Sequence, residues 1–232
     1  MKHIALLLAA GQGNRLEASL PKQFVEVDGE PIVLHTMRAF DRHPLITDIY
    51  VVCTPGWEDT VKGMALGVSK FRCSVTGGEQ VMDSLRKGIA ALAESEPEES
   101  LVLVHDAVRP LITQDIITRS IEVCAAHGNA ITALPSHEAF LCTDDGETSD
   151  RFIPRHQLMR AQTPHTFPLS TLNDMMQDAT RCGIRQTQSL YTLANELHRT
   201  PLHIALGDLL NFKITVAEDL HLYRALKGQE LF

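Results

Sequence analysis

Four short runs of this chain are apolar, Thr132 apart: Ile4–Ala9, Ile49–Cys53, Leu101–Val104 and Ala130–Leu134. A strand wet on one face would alternate; continuous runs of this length mean strands covered on both faces. Between them, Ile32–Phe40, Trp57–Leu66, Val81–Leu92 and Ile116–Ala126 carry apolar residues at helical spacing. Strands that alternate with helices and are buried on both faces predict a doubly wound α/β layer with a mostly parallel sheet.

Further along, the spacing predicts helices over Ser170–Arg181 and Ser189–His198, short strands over Leu202–Leu206 and Phe212–Ile214, and a last helix over Ala217–Leu226. Between His137 and Gln157 the pattern breaks. The stretch is polar, with a turn signal at Asp144-Asp145-Gly146. A hairpin arm exchanged between subunits and a plain surface loop both fit it. No repeat, low-complexity tract or linker divides residues 1–232, so one domain is expected, with the arm at about 137–157. The chain is 44% hydrophobic, which excludes disorder as its main description.

Lys and Arg number 21 against 29 Asp and Glu, a net charge of −8. That excludes a protein whose main task is to coat nucleic acid, yet permits a small anionic ligand in a locally positive pocket. The five cysteines are scattered without a CxxC pair, as expected of free thiols in a reducing compartment. No 18-residue apolar run marks a membrane span. The apolar stretch after Met1-Lys2-His3 is short and lacks a small-residue cleavage site, so a cytoplasmic location is expected.

The strongest local signal is LLLAAGQGNRL, Leu6 to Leu16. A buried strand runs straight into a turn of small residues, Ala9, Ala10, Gly11 and Gly13, whose backbone N–H groups can approach an anion closely. Such a turn at the C-terminal edge of a parallel sheet is where ligands bind. A dinucleotide fingerprint needs a small residue where Leu16 stands and an acid about twenty residues on; a Walker loop needs Gly-Lys-Ser/Thr. Neither is met. Arg15 and Lys22 follow instead, and a triphosphate needs that combination of N–H donors and cations. Asp106, just past the strand Leu101–Val104, either caps the turn towards Arg109-Pro110 or faces a ligand or Mg²⁺. No Ser-His-Asp arrangement is found, and the eleven histidines need no catalytic role.

Together, AAGQGNRL…PKQF, GGEQVMDSL (77–85), VHDAVRP (104–110), Arg155…Ala161-Gln162-Thr163-Pro164 and Asn211-Phe212-Lys213-Ile214-Thr215 span nearly the whole chain. This combination resembles the 2-C-methyl-D-erythritol 4-phosphate cytidylyltransferase family and its close relative, ribitol-5-phosphate cytidylyltransferase, within the sugar-nucleotidyltransferase superfamily. The resemblance implies a Rossmann-like domain, a β-arm that interlocks a homodimer, CTP as donor, a polyol phosphate as acceptor and Mg²⁺ as cofactor. It implies that Ala9, Ala10, Gly11 and Gly13 cradle CTP, and that Gly78, Glu79 and Ser84 line the cytosine and ribose pocket. Asp106 and Ala107 would sit beside the ribose, with Asp106 also the metal ligand. Arg15, Lys22 and Lys213 would neutralise charge as the bond breaks. Arg109 and Thr163 would bind the acceptor, and Arg155 would reach its phosphate from the partner's arm.

The acceptor half departs from the methylerythritol pattern. Val81 stands where the family usually has Arg, Ala139 where a phosphate-binding Thr is typical, and Thr187-Gln188-Ser189 where Thr-Asp-Glu is usual. Methylerythritol phosphate, in isoprenoid precursor synthesis, is the acceptor the family resemblance implies. Ribitol 5-phosphate or another polyol phosphate for a cell-surface polymer is the alternative. A CTP-binding regulatory module without catalysis is a rival of another class, opposed by the three cations. A nicotinamide oxidoreductase is opposed by Leu16 and the absent ribose acid.

Overall fold

A computed structural model describes residues 1–11 and 20–227. The first strand, β1 (His3–Ala9), sends Ala5, Leu7 and Ala9 to one face and Ile4 and Leu6 to the other. β4 (Asp48–Cys53) and β6 (Leu101–Asp106) flank it in parallel and divide their side chains the same way. The apolar strands are thus apolar because both faces are covered. β2 (Glu26–Val27) and β3 (Glu30–Pro31) form a small separate ribbon.

One face carries α1 (Ile32–Asp41), α2 (Glu58–Met64) and α4 (Gln114–His127). The other carries α3 (Val81–Ser95), α5 (Leu169–Arg181) and α6 (Leu190–Glu196). Leu7 and Leu6 are fully buried on opposite faces. Truncating either to Ala would cost about 2–5 kcal/mol. Gly88 lets α3 lie close to the sheet: a Cβ there would come within 2.7 Å of Val52 Cγ2. A third apolar cluster seats α7 (Ala217–Lys227) through Leu220 and Tyr223 against Ile32, Val108 and Ile214.

The remaining strands are β5 (Phe71–Thr76), β7 (Ala130–Pro135), β8 (Met159–Pro168) and β9 (Ile204–Leu206). They complete a seven-stranded sheet of order β5-β4-β1-β6-β8-β7-β9. β8 alone runs against its neighbours, β6 and β7. The fold is therefore α/β and doubly wound, with a mostly parallel sheet, as the alternation of apolar runs implies. Among the described residues no helix is long and apolar enough to cross a membrane.

Two expectations need correction. Phe212–Ile214 is not a strand; its backbone is irregular, tied to Val108 by one bond from the Ile214 N–H at 2.9 Å. The strand expected over Leu202–Leu206 is confined to Ile204–Leu206. The excursion at 137–157 is closed at its base by the pairing of Pro135 with Met159 but is no regular hairpin. It holds a single antiparallel bridge, Cys142 to Arg151. Its turn is organised by Asp145, which accepts from the N–H groups of Glu147 and Thr148 and from two threonine hydroxyls, with Gly146 at φ +78°.

Candidate active site

The C-terminal ends of β1 and β6 open into a cleft of about 400 Å³. Ala10 and Gly11, leaving β1, form part of its wall, while Ala9 is buried beneath them. The turn is held from below by Gln23, in a 3₁₀ turn over Lys22–Phe24. Its Nε2 donates to the carbonyls of Ala9 at 2.6 Å and Gly11 at 3.2 Å and to Thr54 Oγ1 at 3.1 Å. This fixes two carbonyls and leaves the turn's other face for a ligand. Gly13 and Arg15 lie outside the described residues.

A second wall comes from the turn before α3. The Gly78 N–H donates to Ser84 Oγ at 3.1 Å, and the Gly77 N–H to the Cys53 carbonyl at 2.7 Å. Both glycines are needed for closeness: a Cβ on Gly77 would lie 2.4 Å from Ala10 Cβ, and one on Gly78 2.2 Å from Asp83 Cβ. Gln80 and Asp83 cap α3 reciprocally. Glu79 and Ser84 line the cleft, as do Val81 and Gln188.

The charged end is built on β6. Asp106 accepts from Arg109 Nε and from Lys213 Nζ, each at 2.9 Å. Burial alone would raise its pKa, but the Lys213 and Arg109 charges and hydrogen bonds outweigh that and hold the carboxyl well below its usual range. Lys22 also lines the cleft, mostly buried, with Nζ 3.3 Å from the Ile214 carbonyl. So Lys22, Lys213 and Arg109, remote in sequence, converge on one cleft. Thr163 lines it as well, but its hydroxyl is engaged. It accepts from the Asp106 N–H at 3.1 Å and bonds His105 Nδ1 at 3.0 Å. His105 Nε2 lies 3.3 Å from the Arg109 carbonyl. The chain of bonds is satisfied by a neutral, Nε2-protonated His105, and burial pushes its pKa down to about 3.

Three of the residues implied by the resemblance do not face the cleft: Ala9, buried beneath its wall, Ala107 and Arg155. Ala107 is fully buried, its N–H bonded to the Leu8 carbonyl and its carbonyl accepting from Thr36 Oγ1. It supports the end of β6 through its backbone. Arg155 sits on the exposed arm, bonded to the His137 carbonyl at 3.4 Å, away from its own chain's cleft. Sequence reasoning does not single out four polar residues: Gln23, His105, Gln162 and Asn211. All lie inside quoted motifs, but buried polar side chains carry no periodic signal.

Among the described residues no cluster of three or more His, Cys, Asp or Glu side chains offers a ready-made metal centre. Asp106, one carboxylate on the cleft wall, fits the mode in which Mg²⁺ takes one or two protein carboxylates and completes its shell with phosphate oxygens and water.

Comparison with known proteins identifies the family. The profile describing 2-C-methyl-D-erythritol 4-phosphate cytidylyltransferase (IspD) matches residues 3–228. The chain is 35% identical to ribitol-5-phosphate cytidylyltransferase of Lacticaseibacillus paracasei, over 98% of this chain and 99% of that one. It is 34% identical to 2-C-methyl-D-erythritol 4-phosphate cytidylyltransferase of Geotalea uraniireducens, over 97% and 96%. The crystal structure of the 2-C-methyl-D-erythritol 4-phosphate cytidylyltransferase of Thermus thermophilus superposes with a TM-score of 0.78 at 28% identity, covering 99% of this chain and all of that one. With that profile match along nearly its full length and relatives at 34–35% identity, the chain belongs to the 2-C-methyl-D-erythritol 4-phosphate cytidylyltransferase family.

Proposed function

We propose that this protein transfers CMP from CTP to a polyol phosphate, releasing pyrophosphate. The observation that carries the reading is the convergence of Lys22, Arg109 and Lys213 in one cleft beside the small-residue turn after β1. An oxygen of the acceptor's phosphate attacks the α-phosphorus, and the bond from that phosphorus to the β-phosphate's bridging oxygen breaks. The acceptor phosphate is already a nucleophile, so the chain supplies positioning and charge neutralisation rather than a general base. Ala10 and Gly11 present the turn to the nucleotide, with Gly13 in the same role. Gly78, Glu79 and Ser84 receive the base and ribose. Lys22 and Lys213, with Arg15, offset the charge that develops on the phosphates. Arg109 holds the acceptor, and Thr163 keeps Asp106 in place. Mg²⁺, held by Asp106 together with phosphate oxygens, would neutralise triphosphate charge.

For the acceptor we favour ribitol 5-phosphate. The relative at 35% identity bears that name, and the cleft carries the neutral Gln188 and Val81 at positions where the methylerythritol pattern has charge. Methylerythritol phosphate is the second reading, supported by the family profile and the 34% relative. A homodimer interlocked by the arm fits the exposure of Leu141 and Phe152, each 82% accessible, and the distance of Arg155 from its own cleft. Five free thiols suit a cytoplasmic setting.

The test is pyrophosphate release with CTP and Mg²⁺ across ribitol, methylerythritol, erythritol and glycerol phosphates. Turnover fastest with ribitol 5-phosphate is the expected result. Fastest turnover of methylerythritol phosphate selects the second reading, and CTP binding without release from any acceptor refutes catalysis. Light scattering tests the arm: a monomer removes Arg155 from the site.

A further inference from the structure

The segment from Gly207 to Thr215, between β9 and α7, has no regular structure. Yet it brings Lys213 to Asp106 and offers the Ile214 carbonyl to Lys22. Its course is fixed by Asn211, whose side chain is fully buried. Asn211 Nδ2 donates to the Thr163 carbonyl at 2.8 Å and to Gln162 Oε1 at 3.4 Å. The Asn211 backbone carbonyl accepts from Arg109 Nη1 at 2.8 Å. Gln162, also buried, ties the start of the segment: Nε2 donates to the Asp208 carbonyl at 2.7 Å, and Oε1 accepts from the Asp208 N–H at 3.3 Å. A Cβ on Gly207 would lie 2.3 Å from Gln162 Oε1, so a larger residue there would push that oxygen from its place.

We propose that Asn211, through Gln162 and the Thr163 carbonyl, is a positioning residue for nucleotidyl transfer. It fixes the segment that carries Lys213 and acts through that ammonium rather than on substrate. The inference rests on the reading of Lys213 as a group that meets the phosphates. A lysine ammonium sits on a flexible four-carbon stem, so its place is set by its backbone. A misplacement of about 1 Å costs on the order of 10²-fold in rate.

The test is a double-mutant cycle on pyrophosphate release: Asn211→Ala, Lys213→Ala and the pair. Asn211→Ala is expected to lower kcat about 10- to 100-fold, with KM for CTP within about 3-fold of wild type. Lys213→Ala is expected to lose about 10²–10³-fold. The pair is then at most about 3-fold slower than Lys213→Ala alone. A merely structural asparagine would lower the active fraction, leave kcat per active site unchanged, and cost the same factor in both backgrounds; that outcome overturns the proposal. If Asn211→Ala fails to fold, Gly207→Ala displaces the Gln162 oxygen instead, and a folded Gly207→Ala enzyme with wild-type kcat overturns it equally. Lys213→Ala at the wild-type rate would remove the reading of the cleft itself. Loss in Lys213→Ala with a fully additive pair would remove the positioning role alone.

Discussion

Asp106→Asn keeps the side chain's shape and removes its charge, leaving two cations at 2.9 Å without a counter-ion. The two halves of the cost differ because the cations differ in exposure. Arg109 is 11% exposed, so its bond is a largely buried, charge-assisted one, worth about 1.5–3 kcal/mol. Lys213 is 41% exposed, and water screens it to about 0–1 kcal/mol. The variant should lose about 2–4 kcal/mol at pH 7, and a loss near 3 would lower Tm by about 6–12 °C in a chain of this size. The pH dependence has a definite sign. Asp106's carboxyl titrates well below its usual range when folded, the cations overcoming the effect of burial. The unfolded chain therefore binds this proton more tightly. Asp106's contribution is complete above the unfolded value, about pH 4, and is lost as pH falls through the lower folded value. Urea unfolding of both proteins from pH 7 to pH 3 measures the gap, and acid effects common to both cancel. A gap constant from pH 7 to about 5 and closing below about 4 is expected. A gap under about 1 kcal/mol at pH 7, or one that widens in acid, would refute an ionised Asp106 held between two cations.

Gln23→Ala takes the main donor from the buried Ala9 carbonyl, leaving it Thr54 Oγ1 at 3.4 Å, so stability should fall by about 1–2 kcal/mol. CTP affinity by calorimetry should fall about 10-fold if the turn then slackens; unchanged affinity would mean the brace has no part in binding. Burial holds His105 down to about 3 and His165 to about 4, so both rings stay neutral across pH 6–8. The profile of kcat/KM should show no limb from either ring, and one abolished by His165→Gln would contradict this. Burial pushes the Cys53 thiol up to about 11 and the Cys124 thiol up to about 12, whereas Cys182 is exposed. At pH 8 a thiol-exchange reagent should label Cys182 in the folded protein and reach the other two only in denaturant; rapid native labelling of Cys124 would contradict the burial.

The parts of the fold legible in the sequence are those whose burial is apolar. β1, β4 and β6 read as strands because both faces meet hydrophobic side chains. β5 does not, since an edge strand with the sequence FRCSVT is only half covered. β8 lies between β6 and β7, yet it carries Gln162, Thr163, His165 and Thr166 and two prolines. Several of its polar groups are matched from other elements: Ser120 Oγ lies 2.6 Å from Thr166 Oγ1, and Thr132 donates to the Pro164 carbonyl at 2.7 Å. Polar side chains satisfied across the sheet look like loop residues when only their sequence neighbours are seen. The same reasoning separates the legible site residues from the missed ones. Ala10, Gly11 and Gly78 stand in turns beside strands or a helix, and Asp106 ends a strand, where sequence and ligand chemistry meet. Gln162 finds its partner 46 residues away at Asp208, and that pairing exists only once the sheet has formed.

The chain's charge sharpens what the cleft is for. Acidic residues exceed basic ones by eight across the sequence, yet Lys22, Arg109 and Lys213 gather around Asp106. Cations brought together in a partly buried cleft repel one another, and the fold tolerates them because Asp106 and the carbonyls of Asn211 and Ile214 take up their hydrogen bonds. On the proposed reaction, that arrangement is the resting form of a phosphate site. The donors stand in place before the nucleotide arrives, so little reorganisation remains to be done when charge develops on the leaving pyrophosphate. On that reading Asp106 would have two parts to play, as counter-ion to the cations at rest and, with Mg²⁺ bound, as a carboxylate holding it. Both require it to stay ionised, which the two flanking cations ensure.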